Sequence, residues 1–140
     1  MERIIGLDVG DRTIGVAMSD LLQLTAQGLT TIRRESNVKD YAALKAIIDE
    51  YDVKTVVVGL PKNMNNTIGP QGEKTMKFAE KLKNKFGVEI VYEDERMTTM
   101  SAEKMLIAGD VRREKRKTVI DKVAATYILQ LHLDKKRRSL

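Results

Sequence analysis

The segment Thr55-Val-Val-Val-Gly-Leu60 constrains the fold most strongly, because six consecutive positions carry no charge and three are adjacent valines. A strand of that kind needs cover on both faces, which is the situation of an interior strand in a sheet sandwiched by helices. Its flanks agree. Val38–Tyr51 carries Ala42, Leu44, Ile47 and Ile48 at helical spacing. Gln71–Phe86 does the same with Met76, Phe78, Ala79, Leu82 and Phe86, and Gly87 supplies a stop. Val88–Tyr92 reads as a further short strand. Strands alternating with helices imply parallel neighbours joined by right-handed crossovers.

The first 33 residues have a different rhythm. Arg3–Asp8, Ile14–Ser19 and Ala26–Ile32 are apolar or β-branched runs with a turn-like break at Gly10–Thr13. Connections this short suit an antiparallel meander. Beyond Tyr92, Thr98 or Thr99 can cap a helix through Ile107, Gly109–Lys117 reads as a charged loop, and Val119–Leu133 as the final helix. Pro61–Pro70 is a polar loop rich in Asn. The expectation is an α/β chain: one domain over 1–140, with a five-stranded mixed sheet, three antiparallel strands followed by parallel ones, flanked by helices. That arrangement fits the RNase H-like architecture.

Composition narrows the chemistry. With no Cys, disulfides, thiolate zinc sites and cysteine nucleophiles are excluded, and a single His leaves little room for a histidine-based metal centre. No run of eighteen apolar residues is present and the start, MERIIGLDVG, lacks the form of a signal peptide, so neither a membrane span nor a secretory leader is expected. The net charge of +5 is unevenly distributed: Arg112–Leu140 carries +7 and the rest −2. Such a segment can attract a polyanion with salt-dependent affinity, or simply form a solvated tail.

The remaining candidates are carboxylates. Asp8 closes the apolar strand Ile4-Ile-Gly-Leu-Asp8, where a charge is costly unless paired or bound to a metal; bonding to backbone amides of the Gly10–Thr13 turn is the alternative. Glu93, Asp94 and Glu95 stand at the C-terminal end of the last strand, where ligands of parallel sheets commonly bind. Alternation puts Glu93 and Glu95 on one face and Asp94 on the other. The same acids also suit a solvated strand exit neutralised by Arg96. Asp121 shares a helical side with Ala124, Ala125 and Ile128, yet Thr118-x-x-Asp121 also resembles a capping box. Together the acids suit hard divalent cations such as Mg²⁺, which prefer oxygen ligands and retain waters for substrate phosphates. Two such ions can activate a water and stabilise the leaving oxygen in phosphodiester cleavage without Cys or His.

Several residues could grip a nucleic-acid backbone. Lys62, Asn63 and Asn66 could meet phosphates or merely form a solvated loop. Arg112, Arg113, Lys115, Arg116 and Lys117 precede Asp121 and are read as backbone contacts. Lys135–Arg138 is read as a soluble tail, and His132 as a favourable charge in a last helical turn.

The chain resembles the YqgF-type pre-16S rRNA nucleases, also called Holliday junction resolvases, over nearly its whole length. The resemblance rests on Gly6-Leu-Asp-Val-Gly10 with Gly15-Val-Ala, Thr25-Ala-Gln-Gly, Val58-Gly-Leu-Pro-Lys-Asn-Met-Asn, Asp94-Glu-Arg-Met-Thr-Thr99, Ala102-Glu-Lys-Met-Leu and Lys117-Thr-Val-Ile-Asp-Lys-Val-Ala-Ala125, in that order. It implies an RNase H-like fold, a bacterial cytoplasmic location and processing of the 5′ end of pre-16S rRNA. It also implies catalytic and metal-binding roles for Asp8, Glu95 and Asp121, with Arg96 orienting a carboxylate or phosphate.

The leading expectation is therefore a Mg²⁺- or Mn²⁺-dependent endonuclease with a two-metal site, Asp8 bridging the ions and the basic loop 112–117 holding the backbone. Resolution of branched DNA by the same acids, which would call for a symmetric dimer, is a second reading, so monomer and homodimer both stay open. A non-catalytic ribosome-assembly RNA-binding factor is a third. An actin-like or sugar-kinase-like phosphate site at Gly6–Gly10 is a fourth, for which 140 residues leave no second domain.

Overall fold

The computed structural model describes residues 2–62, 65, 67–94 and 113–138, with side chains in the last segment from Lys122 onward. Three strands come first: β1 (Ile4–Val9), β2 (Thr13–Ser19) and β3 (Ala26–Arg33). The helix α1 (Asn37–Tyr51), strand β4 (Thr55–Leu60), helix α2 (Pro70–Phe86), strand β5 (Glu89–Asp94) and helix α3 (Arg113–Arg138) follow. The sheet order is β3-β2-β1-β4-β5. The β1–β2 and β2–β3 pairs are antiparallel, whereas β1–β4 and β4–β5 are parallel. This is the mixed sheet expected from the meander and the later alternation.

Local chemistry accounts for the element ends. The Gly10 amide donates to the Thr13 carbonyl at 2.9 Å, closing the turn between β1 and β2. Ser36 caps α1 by accepting from the Lys39 amide. Proline opens α2, where a missing amide hydrogen costs nothing, and Gly87 ends it at φ +69°, a conformation open to glycine.

The sheet is buried on both faces. Ile5, Leu7, Val9, Val56 and Val58 face α1 and α2, packing with Tyr41, Leu44, Phe78 and Leu82. Ile4, Ala17 and Val57 face α3 and meet Ala125, Ile128, Leu129 and Leu133. The uncharged β4 run thus serves two cores at once, each fully buried valine contributing roughly 1.5–3 kcal/mol.

Three expectations at the C-terminal end are corrected. The last helix starts at Arg113 and not Val119, so 113–117 are helical rather than loop. Thr118 consequently lies inside α3, and the capping-box reading of Asp121 lapses. The helix also runs past Leu133 to Arg138, which makes His132 an interior position and Lys135–Arg138 part of the helix. The physical reason is that 113–138 contains neither Gly nor Pro to break it, and its basic last turn complements the helix dipole. Strand β5 likewise extends to Asp94, which brings Glu93 into the sheet. The helix expected over 98–107, and residues 109–112, lie outside the described residues.

Candidate active site

Parity along β1 assigns Asp8 to a face. Ile4 packs on the α3 side while Ile5, Leu7 and Val9 pack on the other, so Gly6 and Asp8 share the α3 face. Asp8 pairs with Gly15 across the antiparallel ladder. On its other side, Gly59 stands one residue beyond the Leu7–Val58 pairing and is itself paired with Glu93. The half-buried Asp8 therefore has glycine on both neighbouring strands.

Helix α3 is fixed over this row by close contact. A β-carbon on Gly6 would lie 2.8 Å from Leu129 Cβ and 3.1 Å from the Ala125 carbonyl oxygen, so only glycine permits the approach. Ile4, at the start of β1, shares a cleft with His132 and Lys136, which makes the helix antiparallel to the strand. Position 121 is one helical turn before Ala125, about 6 Å along the axis. Asp8 is two residues beyond Gly6, about 6.6 Å along the strand in the same direction. Followed back from Ala125 to position 121, the helix therefore heads toward the end of the sheet that carries Asp8, leaning to β3, where Lys122 lies against Gly28.

The other expected site residues divide by location. Lys62 is half-buried and stands two residues after β4, at the same C-terminal sheet edge as Asp8. Its loop is seated on α2, since a β-carbon on Gly72 would meet the Pro61 carbonyl at 2.7 Å. Arg113, Lys115, Arg116 and Lys117 lie on the first turns of α3, ahead of position 121. Asn63, Asn66, Glu95, Arg96 and Arg112 fall outside the described residues. Glu95 immediately follows Asp94, the last residue of β5.

Glu93 is engaged elsewhere. Its buried carboxylate accepts a hydrogen bond from Lys135 Nζ at 2.7 Å and lies 3.5 Å from His132 Nδ1. It ties β5 to α3 and is not a solvated strand exit. Among the described residues no group of three or more His, Asp and Glu is close enough to hold a metal ion. The donor set nevertheless suits a hard cation: it offers carboxylate oxygen, no thiolate, and a single imidazole already beside Glu93.

Sequence reasoning missed Arg34. Its guanidinium donates to the Gly10 carbonyl at 2.9 Å and to Asp40 Oδ2 at 2.9 Å, so it braces the turn that follows Asp8. No periodicity marks such a contact. The glycines at 15 and 59 were visible inside apolar strands, and that signal could have pointed to the neighbours of Asp8.

The architecture is that of the RNase H-like resolvases. Over 99% of this chain and 98% of the other, it superposes on Thermus thermophilus RuvC, solved in complex with a Holliday junction substrate, with TM-score 0.64 at 12% identity. The Fowlpox virus resolvase, solved with Holliday junction DNA, gives 0.61 at 9% identity, covering 96% and 98% of the two chains. Likeness at such identity establishes the fold alone.

Sequence makes the assignment narrower. Residues 2–135 match the family RuvX, described as Holliday junction resolvase, and the chain belongs to that family. It is 58% identical over 138 residues to a protein of Caldanaerobacter subterraneus subsp. tengcongensis named "Putative pre-16S rRNA nuclease", covering 98% of this chain and 99% of that one. A Clostridium botulinum protein of the same name is 55% identical over 132 residues, covering 94% and 96%. No helix among the described residues is long and apolar enough to cross a membrane.

Proposed function

We propose that this chain is a cytoplasmic, metal-dependent endonuclease that processes the 5′ end of pre-16S rRNA, with Asp8, Glu95 and Asp121 as its catalytic acids. The observation that carries the reading is the seating of α3 on Gly6, which directs the helix, followed back from Ala125, toward the sheet end that carries Asp8 and where β5 ends. The name shared by the relatives supports the substrate, and their similarity along nearly the whole chain supports transferring it.

Mg²⁺ or Mn²⁺ bound by these three acids would activate a water and stabilise the leaving oxygen of the phosphodiester. The chain's own residues do the remainder. Asp8 is flanked by Gly15 and the position of Gly59 on its two neighbouring strands, and it supplies a carboxylate for the cation. Lys62, Arg96, Arg112, Arg113, Lys115, Arg116 and Lys117 hold the backbone and neutralise its charge, and Asn63 offers its amide as a neutral donor to a phosphate.

A second reading, resolution of four-way DNA junctions, is favoured by the description of the family and by the junction-bound structures of the same fold. The two are separated by measuring cleavage of a pre-16S precursor and of a four-way DNA junction at equal salt, with and without divalent metal. Metal-dependent cuts in the RNA at its 5′ leader, with the junction left intact, are expected. Paired cuts in the junction with the RNA untouched would replace the first reading by the second. Tight RNA binding without any turnover would make the chain an assembly factor.

A further inference from the structure

We propose that the groove between α1 and α2 is a second nucleic-acid contact, which holds the phosphate backbone of a helical stem on the opposite side of the sheet from Asp8. The inference rests on the nuclease reading and adds to it a preference for substrates long enough to reach both places.

Helix α2 carries Lys74, Lys77, Lys81 and Lys85 at spacings that put them on one side. All four are exposed. Several exposed lysines elsewhere are paired: Lys39, Lys45, Lys54 and Lys135 meet Glu35, Asp49, Asp52 and Glu93 at 3.2, 2.6, 3.0 and 2.7 Å. Among the described residues, none of the four α2 lysines has a carboxylate within ion-pair distance; Lys85 instead lies over the Tyr41 ring at 5.6 Å. Like charges three and four residues apart repel, and a polyanion laid along them relieves that repulsion.

The shape agrees with the charge. Lys74, Lys77 and Lys81 border a cleft of ≈ 310 Å³ whose floor includes Tyr41 and Arg34. The Arg34 charge is already matched by the buried Asp40, and Asp11 is the one remaining acid on the lining. A second hollow, sharing Tyr41 and Lys81, continues to Lys85. The stripe from Lys74 to Lys85 spans about 16 Å of helix. A duplex carries one charge per ~1.7 Å of axis, so several phosphates fit along it.

Position supplies the link to the cut site. The cleft begins at Val9 and Asp11, next to Asp8 in sequence, but lies on the α1–α2 side. Two basic regions on opposite faces, meeting at one sheet edge, suit a stem that extends past the cut and wraps that edge. A short single strand gains nothing from the second one.

The test compares the wild type, a Lys74→Gln/Lys77→Gln/Lys81→Gln variant, and a Lys54→Gln/Lys136→Gln/Arg138→Gln control that removes equal charge away from α2. Binding to a long and a short RNA stem is measured in EDTA, where no cutting interferes, over a range of salt. For the α2 variant, affinity for the long stem should fall on the order of 10-fold or more. The slope of log K against log salt should flatten by about 2.7, since each of the three lost phosphate contacts accounts for ~0.9. Its short-stem affinity should match the control's. An α2 variant equal to the control on both stems overturns this proposal and leaves the nuclease reading standing. Wild-type protein that binds no RNA overturns both.

Discussion

Leu129 sits directly over Gly6, so close that a β-carbon on the glycine would come within 2.8 Å of Leu129 Cβ. This contact sets how near α3 lies to β1 and hence where position 121 stands relative to Asp8. Gly6→Ala should therefore push the helix outward. Overpacking of this kind costs about 1–3 kcal/mol. Thermal or urea unfolding should show the loss, and cleavage should fall although no proposed catalytic acid has changed. A variant with wild-type stability and cleavage would mean that helix position is not critical.

Arg34 and Asp40 form a pair whose carboxylate is 2% exposed. Removing the guanidinium leaves a buried charge without its partner. Arg34→Met should destabilise by about 3 kcal/mol, with Asp40→Asn/Arg34→Met recovering part of it. Because Arg34 also bonds to the Gly10 carbonyl, the single variant should loosen the turn after Asp8, visible as faster exchange of the Gly10 amide, which donates to the Thr13 carbonyl. Equal stability of single and double variants would contradict the pairing.

Glu93 was weighed from sequence as a contributor to the metal site, and it belongs instead to the β5–α3 contact. Lys135→Met should cost about 1–3 kcal/mol by leaving the buried carboxylate without its donor. Glu93→Gln should retain divalent-metal binding by calorimetry. Loss of metal binding in that variant would return Glu93 to the site.

Burial holds the Tyr41 hydroxyl above its usual ionisation range, and its proton is donated to the Phe78 carbonyl at 3.1 Å. Tyr92 shifts the same way, through burial and the neighbouring Glu80. The folded chain thus keeps protons that the unfolded chain releases. That stability is complete below the ordinary tyrosine value of about 10 and lost as pH rises through the folded values. Unfolding midpoints should drop on the alkaline side, and Tyr41→Phe/Tyr92→Phe should flatten the decline. An unchanged alkaline slope in the double variant would assign the effect to other groups.

Much of this was legible in the sequence because periodicity reports burial. The valines of β4, the helical spacing around Leu44 and Leu82, and the short connections among the first strands each fixed an element and its face. What escaped was long-range or electrostatic. The start of α3 was misjudged because a basic run such as Arg112–Lys117 is polar in a loop and in a helix alike, and tertiary support decides between them. The Lys135–Glu93 contact spans 42 residues, and no local pattern encodes it. At the candidate site, Asp8 stood out as a charge in an apolar strand, whereas its flanking glycines acquired meaning only once the strand order made them neighbours.

The central claim is that Asp8 and Asp121 act on one phosphodiester. The most direct measurement is metal-dependent cleavage of a pre-16S precursor by Asp8→Asn and Asp121→Asn proteins of wild-type stability, with RNA binding followed in parallel. Each substitution is expected to slow cleavage by at least ~100-fold, since even residues that only support metal ligands account for about 10–100-fold, while RNA affinity stays close to wild type. Cleavage at the normal rate by either protein would contradict the account.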